Sequence, residues 1–221
     1  MSKTMLFMFP GACSRVSMTA LEETGIDYED RAVNLGAGAQ NNADYLEIHR
    51  RGKVPALVVD GATLVENAAI LVFLDRRYPE ARLLPHPQDP VAAAQILSDL
   101  FWCSGTLHPE VRQVRAPFKW TEGDPAGVRA DGIKKFGKSC DYIERRVAND
   151  HWWYGEEWSI VDTYLYWTYS TAVIGGFSLE PYPALRVHAQ RVRARPAFQR
   201  ARARELAAVQ SQHLAVDVEV L

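Results

Sequence analysis

The sequence predicts an α/β domain followed by an all-helical domain, on three observations. The first third alternates short apolar runs of strand length with helix-length segments and carries an Asp60-Gly61 hairpin signal. The stretch Leu84-Pro85-His86-Pro87-Gln88-Asp89-Pro90 then interrupts the chain with residues that stop helices and withhold ladder hydrogen bonds. Beyond it nearly every segment has helical spacing. The expected division is 1–83, a linker at 84–90, and a helical domain at 91–221.

Taken in order, Thr4-Met5-Leu6-Phe7-Met8-Phe9 reads as a buried strand that Pro10-Gly11 stops. A helix from about Ser14 to Glu23 presents Val16, Ala20 and Leu21 on one face and ends at Gly25. Residues 28–33 make a second strand and 42–48 a short helix. Ala56-Leu57-Val58-Val59 and Ala62-Thr63-Leu64-Val65 flank Asp60-Gly61 as the arms of a hairpin. A helix with Ile70, Phe73 and Leu74 on one face follows. This strand-helix-strand-helix-hairpin-helix order is thioredoxin-like. In the second domain, helices are expected at about 91–116, 125–148, 160–174, 183–194 and 196–210. Residues 215–221 have strand-like composition and no evident partner strand.

Composition excludes several function classes. The chain has 221 residues, 48% of them hydrophobic, enough for one large or two small cored domains. Its 25 Lys+Arg against 27 Asp+Glu offer no basic excess for nucleic acid. There is no signal-peptide pattern and no apolar run of membrane-spanning length, which points to a soluble, cytoplasmic protein. Cys13, Cys103 and Cys140 are too few and too scattered for a disulfide framework. The histidines show no metal-ligand spacing, so no metal is expected. The Arg-rich run from Arg186 to Arg204 has interleaved apolar residues and reads as a solvated helical face.

Three short motifs carry candidate chemistry. In Pro10-Gly11-Ala12-Cys13-Ser14 a strand runs through a tight turn straight into a helix. Helix N-termini hold unpaired N–H groups and the positive end of the dipole, which stabilise a thiolate. Cys13 could serve as that thiolate, or Ser14 could donate its hydroxyl to a ligand sulfur. The bland alternative is a small buried cysteine beside an N-capping serine. In Arg51-Gly52-Lys53-Val54-Pro55-Ala56-Leu57, a cis bond before Pro55 would leave the Val54 backbone to pair with an extended peptide. A plain trans proline opening an edge strand is the ordinary alternative. In Glu66-Asn67-Ala68-Ala69-Ile70 the helix amides and the Asn67 side chain could bind a carboxylate, and Glu66 an ammonium. An ordinary capped helix start would look the same.

The three motifs stand in the right order in a thioredoxin-like succession, and the chain resembles the cytosolic glutathione transferases, particularly the bacterial beta-class type. The cysteine turn, the Gly52-Lys53-Val54-Pro55 loop and the Glu66-to-Ile70 turn are similar to that family's glutathione-binding motifs. Ser159-Ile160-Val161-Asp162 resembles its N-capping box, in which the serine hydroxyl takes a free helix N–H and the aspartate reaches back. The resemblance implies the glutathione transferase fold, with glutathione as co-substrate across Cys13, Lys53, Val54, Pro55, Glu66 and Asn67. It also implies a homodimer, a hydrophobic electrophile as second substrate, and a detoxifying role. His108 matches a family position facing the second-substrate pocket. Trp102, Phe118, Trp120, Tyr166 and Tyr169 are candidate lining residues, or else core.

The sequence departs from the beta-class pattern at four places: Asn67 for serine, His49-Arg50 for Asn-Pro, Pro109 for the lysine after His108, and Phe101 for an asparagine. Two chemistries follow from the resemblance. Glutathione's own thiolate could attack the electrophile, or Cys13 could form a mixed disulfide and support thiol transfer or peroxidase activity. Glutathione-dependent ether cleavage or dehalogenation, and a non-catalytic ligand-binding or regulatory role like that of stringent-starvation-type factors, are the alternatives.

Overall fold

The computed structural model describes residues 4–216. Contacts divide them into two compact units: one holds the residues up to Leu83 together with those from Arg195 onward, the other spans Leu84–Ala194. The break falls at the start of the proline-rich stretch. Residues 217–221 of the C-terminal tail, whose composition is strand-like, lie outside the described residues, and 215–216 form neither helix nor strand.

In the first unit the elements are β1 (Met5–Met8), α1 (Ser14–Thr24), β2 (Glu29–Ala32), α2 (Ala43–Ile48), β3 (Ala56–Val59), β4 (Ala62–Val65) and α3 (Asn67–Arg77). The sheet order is β2-β1-β3-β4, with β1 and β2 parallel and the other pairs antiparallel. This is the thioredoxin-like arrangement that the element order predicts. Asp60 and Gly61 both take positive φ, 50° and 79°, as a two-residue hairpin turn between Val59 and Ala62 requires. The sheet's two faces follow the period of two along β1. Phe7 packs with Val33, Tyr45 and Ala56, while Leu6 and Met8 are fully buried.

The helical unit contains α4 (Pro90–Trp102), α5 (His108–Arg115), α6 (Ala126–Arg146), α7 (Ile160–Ile174) and α8 (Pro183–Arg193). Asp89 caps α4 by accepting from the Ala92 N–H at 2.9 Å. The sequence predicts one helix over 91–116, but the chain widens to a π-helical turn at Cys103–Leu107. There the His108 N–H reaches back five residues to the Cys103 carbonyl. Pro109 accounts for this, since it has no N–H for the next α bond and its ring crowds the carbonyl four residues back. α7 is buried along its length from Ile160 to Ala172. Its start is held by the predicted capping box. The fully buried Asp162 carboxylate accepts from the Ser159 N–H at 2.8 Å, the Trp153 N–H at 2.7 Å and the Ser159 hydroxyl at 3.1 Å, and pairs with His188 Nε2 at 2.9 Å.

The last helix, α9 (Pro196–Gln212), belongs to the first unit, whereas the sequence reading placed it in the helical domain. The cause is ionic. α1 is buried from Ser14 to Glu22 although it contains Arg15, Ser17, Thr19 and Glu22. α9 supplies Glu205, 1% exposed, which accepts from Arg15 Nε at 2.7 Å and from the Gly11 N–H at 3.0 Å. Arg200 and Arg204 converge on Glu22, Arg204 also reaches Asp30, and Arg195 pairs with Glu23. These arginines are therefore not simply a solvated face. Burial acts to raise the Glu22 carboxyl, but hydrogen bonds from Arg200, Tyr28 and Arg204 outweigh it and hold the group below its ordinary range. Burial and the Glu22 charge push the Tyr28 phenol well up.

Candidate functional site

The predicted site residues of the first unit meet where β1 runs into α1. After β1, Gly11 takes φ 74° and the Ala12 N–H bonds the Phe9 carbonyl at 3.0 Å, closing the turn. Cys13 is the N-cap of α1, with φ −59° and ψ −17°, and is 8% exposed. Its sulfur donates to the Val54 carbonyl at 3.5 Å. The next residue behaves differently. Ser14 is fully buried, its hydroxyl donating to the Phe9 carbonyl at 3.2 Å and accepting from the Phe9 N–H at 3.1 Å. Its single hydroxyl proton is thus directed at the Phe9 carbonyl in this structure. Ser14 clamps the end of β1 to the start of α1.

The second motif arrives from the loop before β3. The Val54-Pro55 peptide bond is cis, as the sequence predicts for this loop. Val54 precedes β3, and β3 pairs with β4 only from Ala56 onward. Tyr45 fixes the loop from α2, its hydroxyl donating to the Lys53 carbonyl at 2.5 Å. Burial pushes that phenol well up, so it stays a neutral donor. Gly52 takes φ 56° and a Cβ there would lie 2.7 Å from the Gln40 carbonyl oxygen, so only glycine fits. The Lys53 side chain is exposed and Pro55 is buried.

The third motif opens α3. Glu66 takes φ 69° and ψ 124°, a conformation rare for a residue with a side chain and costing about 1–3 kcal/mol. Its carboxylate is exposed and pairs with Arg51 at 2.7 Å, an ion pair that solvent screens. Asn67 is 4% exposed. Its amide donates to the Cys13 carbonyl at 2.8 Å and its oxygen accepts from the Ser17 hydroxyl at 2.5 Å. The expected carboxylate-binding side chain is thus turned into the protein.

Cys13, Val54, Pro55 and Asn67 are brought together by these bonds, and Glu66 stands beside Asn67 at the exposed start of α3. Lys53 precedes Val54 with its side chain exposed and its carbonyl accepting from Tyr45. His108 lies in the helical unit, where its ring meets the Trp167 ring edge-on at 4.5 Å between centroids. Of the candidate aromatic lining residues, Tyr166 and Tyr169 are buried core. Trp102 stacks on Trp153 at 5.5 Å, and Phe118 and Trp120 are exposed. Sequence reasoning missed Arg51, Ser17, Tyr45 and Glu205. Arg51 sits inside the second motif and could have been found there. Glu205 lies 190 positions from Arg15 and carries no local signal.

Among the described residues no group of His, Cys, Asp and Glu could hold a metal ion, and no helix is long and apolar enough to cross a membrane. Residues 2–76 match the family model of the glutathione S-transferase N-terminal domain. Over 196 residues the chain is 31% identical to the glutathione S-transferase GstA of Escherichia coli O157:H7, covering 88% of this chain and 94% of that protein. A sphingomonad glutathione S-transferase solved in complex with glutathione superposes with a TM-score of 0.79 at 31% identity, covering 91% of this chain and 98% of that one. The bacterial beta-class enzyme of Sphingomonas chungbukensis gives 0.78 at 27% identity, covering 91% of this chain and 98% of that one. With a relative 31% identical over 88% of this chain and 94% of its own length, and the N-terminal domain model matched, the chain belongs to the cytosolic glutathione S-transferase family.

Proposed function

We propose that the protein is a glutathione transferase whose reactive group is Cys13, acting by thiol exchange with glutathione and supporting conjugation to hydrophobic electrophiles. The observation that carries this is the 3.5 Å approach of the Cys13 sulfur to the Val54 carbonyl, while the Ser14 hydroxyl is committed to Phe9. A tripeptide laid along Val54 as an added strand places its cysteinyl sulfur at Cys13. The N-terminus of α1 favours negative charge on that sulfur. Backbone N–H groups at the start of α3 receive the γ-glutamyl carboxylate, and Glu66 receives its ammonium.

In the exchange reaction the Cys13 thiolate attacks the glutathionyl sulfur of a mixed disulfide. The Cys13–glutathione disulfide forms, the substrate's S–S bond breaks, and the leaving thiolate takes up a proton. A second glutathione thiolate then attacks the glutathionyl sulfur of that disulfide. Oxidised glutathione leaves and the Cys13 thiolate is restored. In conjugation glutathione's own thiolate attacks the electrophile, and Cys13 only orients it. His108 is proposed as a further contributor on its family position, and the working form is proposed to be a homodimer in the cytoplasm.

Intact-mass spectra after incubation with oxidised glutathione test the assignment. The wild type should gain one glutathione, and Cys13→Ala should gain none and lose exchange outright while keeping much of its rate with a chloronitrobenzene electrophile. A wild type without adduct, together with unchanged exchange in Cys13→Ala, would remove Cys13 from the mechanism.

A further inference from the structure

The inference concerns Asn67 and rests on the reading of Cys13 as the reactive group. We propose that Asn67 is the positioning residue of this site: its buried carboxamide ties the Cys13 carbonyl to the Ser17 hydroxyl, sets where the Cys13 sulfur points, and does not itself reach the ligand.

The geometry leaves the side chain little else to do. Both functional ends of the carboxamide are engaged within α1, the nitrogen at 2.8 Å from the Cys13 oxygen and the oxygen at 2.5 Å from the Ser17 hydroxyl. Asn67 is 4% exposed and Ser17 fully buried. The two bonds also assign the amide orientation, since a carbonyl can only accept and therefore needs the nitrogen. The Cys13 carbonyl has two lone pairs. The Val16 N–H takes one at 3.1 Å and Asn67 the other. A serine at this position would be shorter by the amide group and could not span the same two points.

The consequence for chemistry is electrostatic and geometric. Without Asn67 the Cys13 carbonyl keeps the Val16 N–H but loses the amide donor, so more of its negative end is left beside its own sulfur, which disfavours the thiolate. The turn is also released from α3, so the sulfur's approach to Val54 is no longer held. Displacement of a reacting atom by a fraction of an ångström is costly.

The test compares thiol reactivity with ligand binding. Cys103 and Cys140 are fully buried and burial pushes both thiols up, so iodoacetamide labelling located by peptide mass reports on Cys13. Asn67→Ala should slow Cys13 alkylation at neutral pH about tenfold and move the midpoint of its pH profile upward. Its Kd for S-methylglutathione should stay within about twofold of wild type, the scatter of a lost non-contact. Ser17→Ala, which frees only the far end of the amide, should slow labelling less. An unchanged alkylation profile in Asn67→Ala, with S-methylglutathione binding weakened tenfold or more, would overturn the proposal and make Asn67 a ligand contact. Asn67→Ser keeps a small polar side chain and carries the same comparison should the alanine variant not fold. Wild-type protein that failed to bind S-methylglutathione would defeat the glutathione reading, while the alkylation arm would still decide the role of Asn67.

Discussion

Replacing Ser14 by alanine separates a structural serine from one that serves the sulfur. The hydroxyl accepts the Phe9 N–H at 3.1 Å and donates to the Phe9 carbonyl at 3.2 Å, in a fully buried setting. The Phe9 carbonyl keeps a second donor, the Ala12 N–H at 3.0 Å. Only the Phe9 N–H therefore loses its acceptor without a replacement in the variant. One buried donor left unsatisfied costs about 1–3 kcal/mol. For a chain of this size that lowers the melting temperature by about 2–12 °C. The exchange rate of folded protein should stay within about threefold of wild type, because no bond to the reacting sulfur is lost. A hydroxyl donating to a charged sulfur would instead be worth about 1.5–3 kcal/mol, or about 10–150-fold in rate. Thermal melts and turnover of a glutathione mixed disulfide, measured on the same preparation, read both quantities. A melting curve that matches wild type beside a rate loss above tenfold would refute the clamp and return Ser14 to the sulfur.

Two further outcomes follow from the same bookkeeping. Asp162→Ala removes the acceptor shared by Ser159, Trp153 and His188, and should lower stability by about 3–5 kcal/mol and cut folding yield, with S-methylglutathione affinity of the folded fraction unchanged. A variant melting like wild type would show that the capping box is dispensable. Glu22 is held below its ordinary value of 4.5, so its contribution is full above that pH and is lost as pH falls through the lower folded value. Glu22→Gln should therefore flatten the acid limb of a stability-against-pH curve below about pH 4.5, and an unchanged acid limb would mean that the arginines of α9 contribute nothing through this carboxylate.

Much of the site was legible because its signals are local. Pro10-Gly11 can only end a strand, Asp60-Gly61 can only turn a hairpin of this length, and each motif occupies five to seven consecutive residues. The order of those motifs identified the family. What the motifs could not reveal is which side chains face the ligand, since orientation depends on neighbours far away in the chain. Ser14 and Asn67 read equally well as ligand contacts or as braces. Their partners in this structure, Phe9 for one and Cys13 with Ser17 for the other, are the observations on which both are proposed as braces.

The sequence by itself determined the strand and helix succession, the break at the proline-rich stretch, the cysteine at the start of α1 and the glutathione transferase resemblance. All of these rest on periodicity, turn chemistry and short-range spacing, which act over a few residues. Tertiary structure alone decided that α9 belongs with the first unit, that Glu205 accepts from both the Gly11 N–H and Arg15, and that helix 91–116 opens into a π turn ahead of Pro109. α1 is amphipathic by sequence yet buried on every face, and a buried Arg15 is tolerable only once a carboxylate 190 residues later is brought against it. Pairing of that kind depends on folding the chain back on itself, and no local pattern encodes the partner.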